Sequence, residues 1–320
     1  MTAAGVTVVV CAYTLDRWAE LELALEAAQA DPVPHDTILV IDHNGELLAR
    51  ATARWPQVRV LPNRGRRGLS DARNTALREV RTELVAFLDD DATPSTGWLG
   101  ALLTPFADPR VVATGGVAHP IWPATGRPGH LPEELWWVVG CSFRGQPDSP
   151  ERVRNVMGCN MAFRTAPLCA IGGFNTDLGR VGTYPVGGEE TEACLLLGRR
   201  DPSARISFVA AAQVNHHVTA GRTRFGYLLQ RSYCEGLSKA SLSRYAGAGA
   251  ALATEAGYVR TVLPAAVLRE LRHPRRGLPA AAGIVVSVLA AGVGYVRARV
   301  VPATPVTARG PLASLVEEPA

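Results

Sequence analysis

Lysine is almost missing from this 320-residue chain: Lys239 is the only one, and every other basic side chain apart from histidine is arginine. The arginines are dispersed, no aromatic-interleaved basic stripe forms, and the net charge is only +4, so nucleic acid is excluded as a partner. With 19% charged and 47% hydrophobic residues, the composition also excludes a disordered protein. No Cys-x-x-Cys pair occurs among Cys11, Cys141, Cys159, Cys169, Cys194 and Cys234. Their apolar settings suit small buried thiols rather than zinc ligands or disulfides, which implies a reducing cytoplasm. No basic stretch precedes an apolar run at the N-terminus, so no secretory signal is expected.

What is present is an alternation of buried strands and amphipathic helices. Val6 to Val10 is a β-branched run that predicts a central strand ending at Cys11, Ala12, Tyr13 and Thr14; Trp18, Leu21, Leu25 and Ala28 then share one helix face. Ile38-Leu39-Val40-Ile41 predicts a second strand, closed by Asp42-His43-Asn44-Gly45, and Val58 to Leu61 a weaker third. A helix begins at Leu69 with Ser70 as the expected N-cap. Arg73 lies on its first turn, where a helix N-terminus and a guanidinium both suit a diphosphate. Arg64, Arg66 and Arg67 just before it either steer an anionic donor or form a solvated loop. Polar groups thus recur at successive strand ends, the edge of an open α/β sheet where ligands bind.

The run Leu84-Val85-Ala86-Phe87-Leu88-Asp89-Asp90-Asp91 organises the rest. Its apolar part predicts a strand buried on both faces, and the three carboxylates at its end repel one another unless something positive is near. A divalent cation on oxygen ligands meets that need and leaves positions free for a phosphate. Strand alternation sets Asp89 and Asp91 on one face and Asp90 on the other, a D-x-D clamp. The competing reading is an acidic turn in which Asp91 caps a helix over residues 98–106. Glu189 and Glu190 open a further helix, where acids complement the dipole. After a strand at Ile206 to Phe208 comes Val214-Asn215-His216-His217-Val218; imidazole is a common metal ligand, and alternation lets only one of the two histidines face a site.

In order along the chain stand Val8, Val10, Ala12 and Tyr13; Val40-Ile41-Asp42-x-Asn44-Gly45; Gly68-Leu69-Ser70-x-Ala72-Arg73-Asn74; and Phe87-Leu88-Asp89-Asp90-Asp91. Gly158-Cys159-Asn160-Met161-Ala162-Phe163-Arg164, Gly172-Gly173-Phe174, Gly188-Glu189-Glu190-Thr191-Glu192 and Val214-x-His216-x-Val218 follow. Together these resemble the family 2 nucleotide-sugar glycosyltransferases of GT-A fold, over about residues 5–245. The resemblance implies an α/β, Rossmann-related, mostly parallel sheet flanked by helices. It implies that Tyr13 stacks on the nucleotide base and that Asp42 accepts hydrogen bonds from it. Asp91 would ligate Mg2+ or Mn2+, Asp89 would contact the ribose or the metal through water, and His216 rather than His217 would complete the metal site. Arg222 would reach the diphosphate. Glu190 would be the general base that deprotonates the acceptor hydroxyl opposite the leaving diphosphate, so that displacement inverts the anomeric centre. The donor would be a UDP-, GDP- or dTDP-sugar. Gln230-Arg231-Ser232-Tyr233 lacks the Gln-x-x-Arg-Trp pattern of processive synthases, which implies a single transfer. Two positions depart from the pattern: Cys11 stands where many members have a hydroxyl residue, and Glu190 where many have Asp.

Between the acid triplet and the Glu pair, residues 119–150 hold Pro120, Trp122, Pro123, Pro128, Pro132, Trp136 and Trp137, where an acceptor must enter; tryptophan faces pack on sugars or lipids, or simply in a core. The uncharged stretch from Leu278 to Val296 is long enough to span a bilayer, with Arg269, Arg272, Arg275 and Arg276 before it and Arg297 and Arg299 after. A buried or interfacial helix is its rival, and the apolar and basic residues between Ala251 and Arg272 would suit an anionic membrane surface. Spanning would place the catalytic part on the cytoplasmic face. The expected organisation is a catalytic domain over 1–245, a helical, membrane-associated segment over 246–301, and a disordered tail over 302–320. The acceptor would present a hydroxyl on a cell-surface glycan, a glycolipid or a secondary metabolite. A haloacid-dehalogenase-like phosphotransferase also uses D-x-D, but after its first strand and with a lysine. A non-catalytic, membrane-tethered nucleotide- or carbohydrate-binding protein is the other alternative.

Overall fold

The computed structural model describes residues 5–150, 152–180, 185–246 and 255–301; the tail expected over 302–320 lies outside the described residues. Eight strands form one sheet: β1 (Val6–Ala12), β2 (Asp36–Asp42), β3 (Arg59–Asn63), β4 (Leu84–Asp89), β5 (Ala92–Pro94), β6 (Val111–Ile121), β7 (Asn160–Arg164) and β8 (Arg205–His217). Their spatial order is β3-β2-β1-β4-β7-β6-β8-β5. The first four pair in parallel, as strands buried on both faces and joined by helical crossovers must. Beyond β4 the sheet turns mixed: β7 is antiparallel to β4 and to β6, β6 and β8 are parallel, and β5 is antiparallel to β8.

Helices α1 (Trp18–Gln29), α2 (Gly45–Arg54), α3 (Leu69–Leu77), α4 (Trp98–Leu103), α5 (Thr165–Ala170) and α6 (Glu189–Arg200) cover the two faces. On one face, Val8, Val10, Leu39 and Ile41 meet Leu21, Leu25 and Leu47 of α1 and α2. On the other, Val9, Val40, Val85 and Phe87 meet Ala72, Ala76 and Leu77 of α3 and Ala193 and Leu197 of α6. Burying each such aliphatic side chain contributes about 1.5–3 kcal/mol, so the uninterrupted apolar runs read from the sequence are what fix β1, β2 and β4 at the centre.

Helix starts differ from the sequence reading. Gly68, at φ +135°, is the N-cap of α3, while Ser70 sits inside the first turn and donates its hydroxyl to the Leu178 carbonyl at 2.6 Å. Asp91 caps nothing: it lies in the turn joining β4 to β5, and α4 starts instead after Gly97. The runs at 206–208 and 214–218 belong mostly to one strand, β8, whose register against β6 shifts between Val209 and Gln213. All six cysteines are free thiols.

Among the described residues the C-terminal part carries α7 (Phe225–Ala246), α8 (Leu263–Leu271) and α9 (Pro274–Val300). Helices α7 and α9 touch backbone to backbone. A Cβ on Gly236 would lie 2.0 Å from the Ala291 carbonyl oxygen, and one on Gly294 would lie 2.1 Å from that of Tyr233. One turn before the Gly236–Ala291 contact, the buried Ser232 and Ser287 hydroxyls hydrogen-bond at 2.8 Å. Arg269 of α8 forks onto Glu134 at 2.8 and 3.1 Å, fastening the helices to the 119–150 insert. The outer side of α9 carries an exposed apolar stripe, Leu278, Val285, Leu289, Val293, Val296 and Val300, at three-, four- and seven-residue steps.

Candidate active site

The carboxyl ends of β1, β2 and β4 open into a cavity of about 670 Å³. Tyr13, Asp42, Arg73 and Asp89 line it from the parallel half of the sheet, and Glu190, His216 and Arg222 from the far side. Asp91 lies directly beneath, bonded to three of the lining side chains. The residues expected to serve nucleotide, metal and base, namely Tyr13, Asp42, Arg73, Asp89, Asp91, Glu190, His216 and Arg222, therefore lie at or beneath one cavity.

At the β2 end, Asp42 is anchored before any ligand arrives. Its Oδ1 accepts from Asn63 Nδ2 at 2.7 Å and faces His43 Nδ1 at 2.8 Å, while its Oδ2 accepts the Gly68 N–H at 2.9 Å. A carboxylate has about four acceptor positions, so one remains for a base edge. Arg17 stacks its guanidinium over the Tyr13 ring, 4.9 Å from the centroid.

The acid triplet finds its positive charge within the chain. Arg17 Nη1 lies 3.0 Å from Asp90 Oδ1 and 2.7 Å from Asp91 Oδ2; Arg222 Nη2 is 3.3 Å from the same Asp91 oxygen; His216 Nε2 is 3.2 Å from Asp91 Oδ1. Strict alternation fails at Asp90, because the strand ends at Asp89 and the following turn lets one arginine hold both Asp90 and Asp91. Burial alone would raise the Asp91 pKa, but His216, Arg222 and Arg17 hold it well below the usual carboxylate range. Burial would likewise depress His216, yet Asp91 lifts it to about 10. Asp90, buried and facing Asp91 and Asp89 with Arg17 as its main compensation, is pushed up to about 7. His216 is 2% exposed, whereas its neighbour uses its backbone, the His217 N–H donating to the Asp91 carbonyl at 2.7 Å.

Arg73 is 2% exposed and makes three hydrogen bonds. It donates to Glu189 Oε1 at 2.9 Å, to Asp89 Oδ1 at 3.2 Å and to the Gly158 carbonyl at 3.0 Å. It ties the end of β4 to the start of α6 while lining the cavity beside Asp89. Glu189 is buried in that contact; Glu190, one residue on, faces the cavity. Burial and then the neighbouring Glu189 raise the Glu190 carboxyl to about 8, with Arg73 opposing. Arg66 pairs with Asp177 at 2.6 Å on the surface, so the Arg64–Arg67 loop reads as solvated.

Asp89, Asp91 and His216 each offer one ligand atom, all within 4.8 Å of one another. Two carboxylates and an imidazole suit a divalent cation, and the buried Asp91 Oδ1 receives no well-aligned hydrogen bond. The residues present thus fit Mg2+ or Mn2+. Sequence reasoning missed Arg17, Arg180 and Arg231, which also line the cavity. The repulsion within the acid triplet did signal that a cation must be close; nothing marked which arginine supplied it.

The glycosyl transferase family 2 model matches residues 7–172. Over 239 residues the chain is 32% identical to a glucosyl-dolichyl phosphate glucuronosyltransferase of Haloferax volcanii, covering 73% of this chain and 76% of that one. The succinoglycan biosynthesis protein ExoM of Rhizobium meliloti is 26% identical over 71% of each chain. Among solved structures, the mannosyltransferase PcManGT from Pyrobaculum calidifontis, in complex with GDP-Man and Mn2+, is similar with a TM-score of 0.60 at 19% identity, covering 90% of this chain and 86% of that one. That likeness is one of fold. A sheet whose strand ends converge on one acid-lined cavity, a family match over its first half and a relative aligned along three quarters of its length agree: the chain belongs to glycosyl transferase family 2 and is a glycosyltransferase of GT-A fold.

Proposed function

We propose that the enzyme transfers one sugar, with inversion, from a nucleoside diphosphate sugar to a hydroxyl of a lipid-linked acceptor at the cytoplasmic face of a membrane. The observation that carries this reading is the pairing, in one cavity, of the Asp89–Asp91–His216 donor set with the Glu190 carboxyl. A divalent cation held there would neutralise the departing diphosphate. Arg222 and Arg17, relieved of Asp91, would turn to the diphosphate oxygens, and Tyr13 and Asp42 would hold the base. Glu190, with a pKa of about 8, would take the proton of the acceptor hydroxyl, because a base is most effective when its pKa lies near the working pH. The nitrogen donor of His216 favours Mn2+ over Mg2+.

Two observations support a lipid-linked acceptor. The Haloferax relative is named for a dolichyl phosphate-linked one. Among the described residues one helix is long and apolar enough to cross a membrane, Gly277–Val300, with mean hydropathy 1.9. Its inner side is committed to α7, so we take it to lie along the bilayer surface with its apolar stripe in the acyl region and Arg272, Arg275, Arg297 and Arg299 among headgroups. Catalytic domain and helical segment then act as one unit.

The test is calorimetric titration of UDP, GDP and dTDP, with and without Mn2+, on the wild type, Asp91→Ala and the more exposed Asp89→Asn. Metal-dependent binding of one nucleotide, lost in both variants, supports the reading; no nucleotide binding in the wild type defeats it.

A further inference from the structure

The cavity continues well past the metal donor set, and its second wing has a lining of a different kind. One wall is apolar: Leu242 of α7, Leu263 of α8, and Val288, Ala291 and Val296 of α9. Val288 and Val296 are 36% and 59% exposed, so the same side chains belong to the wall and to the outer face of α9. The wing therefore opens onto the surface that carries the apolar stripe.

Where this wing meets the catalytic part stand Arg180 and Arg231. Arg231 lies over the Trp137 ring, 5.5 Å from the centroid, and pairs with Glu235 at 2.8 Å. Arg180, half-buried, has no carboxylate within ion-pair distance among the described residues. Its backbone is fixed, with the Arg180 carbonyl accepting the Leu69 N–H at 3.0 Å after Gly179 at φ +99°. Its surroundings, with Arg222 and Arg231 near, hold its pKa below the ordinary arginine value against the opposing pull of Asp91. A guanidinium without a carboxylate partner among the described residues, at the neck of an apolar channel, matches an amphiphile with one anionic head and a hydrocarbon tail.

Resting on the lipid-linked reading above, we propose that this wing is the carrier subsite: a polyisoprenyl phosphate sets its phosphate between Arg180 and Arg231 and runs its first isoprene units along α9 to the membrane. Arg222 and Arg17, which pair with Asp91, would serve the donor diphosphate, leaving Arg180 and Arg231 for the carrier phosphate. Gly292 lines this wing with nothing within 4 Å of where its Cβ would be, which makes it a position where bulk can be added without a clash.

The experiment is titration of the full chain with farnesyl phosphate, farnesol and inorganic phosphate, followed by quenching of tryptophan fluorescence, alongside nucleotide titration in Mn2+. The wild type should bind farnesyl phosphate at least tenfold more tightly than farnesol or phosphate. Arg180→Ala should lose at least tenfold for farnesyl phosphate and little for farnesol. Gly292→Trp should weaken both prenyl ligands, and both variants should bind nucleotide as the wild type does. Farnesyl phosphate binding unchanged in Arg180→Ala overturns the proposal, as does a loss that falls on the nucleotide, which would assign Arg180 to the donor. A wild type that binds farnesyl phosphate in this pattern but no nucleotide refutes the transfer reaction and leaves the carrier subsite standing.

Discussion

Nε2 of His216 lies 3.2 Å from Oδ1 of Asp91, both side chains being almost fully buried. Because Asp91 lifts this imidazole to about 10, it is protonated at neutral pH and carries charge that a metal would otherwise supply.

Binding of Mn2+ must therefore displace a proton. Calorimetry in two buffers of different ionisation enthalpy should show release of about one proton per ion at pH 7.5, with apparent affinity rising about tenfold per pH unit until the pH approaches 10. Equal heats in the two buffers would mean that His216 does not ligate.

Asp91 answers for stability as well as chemistry. Removing it leaves Arg17, Arg222 and His216 facing one another in a buried site, a loss of about 3–5 kcal/mol in the metal-free protein. Asp89, 28% exposed and held only by Arg73 among ion pairs, should cost much less. Chemical denaturation of Asp91→Ala and Asp89→Ala checks the order. The pair also sets a pH window. The depressed Asp91 contributes stability above about pH 4 that fades in acid, and the raised His216 contributes stability below about pH 6.5 that is lost as the pH rises through about 10.

Glu190 has the opposite sign. Its folded pKa of about 8 exceeds the ordinary 4.5, so the fold prefers the neutral acid; ionisation costs stability progressively from about pH 4.5 to 8 while creating the base. For kcat/KM the acid limb should rise toward pH 8. Glu190→Gln should abolish that limb, lower kcat by about 10²–10⁴ with nucleotide affinity little changed, and stabilise the protein above pH 8. A variant that keeps wild-type kcat removes Glu190 from the reaction.

Arg73 bridges two carboxylates and a carbonyl from a fully buried position, and lysine cannot reproduce that fork. Both Arg73→Ala and Arg73→Lys should therefore lose about 3–5 kcal/mol, seen as a lowered denaturant midpoint. Stability retained in Arg73→Lys would reduce the bridge to a single contact.

Flotation with anionic vesicles tests the outer face of α9. The wild type should float, Leu289→Glu with Val293→Glu should remain in the load fraction, and raised salt should weaken binding only in part, since much of the attachment is apolar.

The central sheet was legible because β1, β2 and β4 are buried on both faces and so cannot disguise themselves; their apolar runs fix position and direction at once. The acid triplet was legible as an electrostatic problem, and the position of Glu190 on the cavity through its motif. What stayed hidden depended on distant partners. Nothing near Arg73 says that Glu189, 116 positions on, will claim it, and Arg17 is an ordinary turn residue until β4 brings Asp90 and Asp91 alongside. Helix caps were misread, by two residues at α3 and by six at α4, because Gly68 and Gly97 supply the backbone freedom that a side-chain cap was expected to replace.

The contact of α7 and α9 through Gly236 and Gly294 has a practical meaning for anyone who would trim this enzyme. Position 245, where the sequence invites a cut, is not a seam: shortening the chain there would strip the neighbour from Gly236 and leave a groove with one bank. A shortened protein would be expected to keep its appetite for nucleotide while losing its grip on whatever arrives from the lipid side.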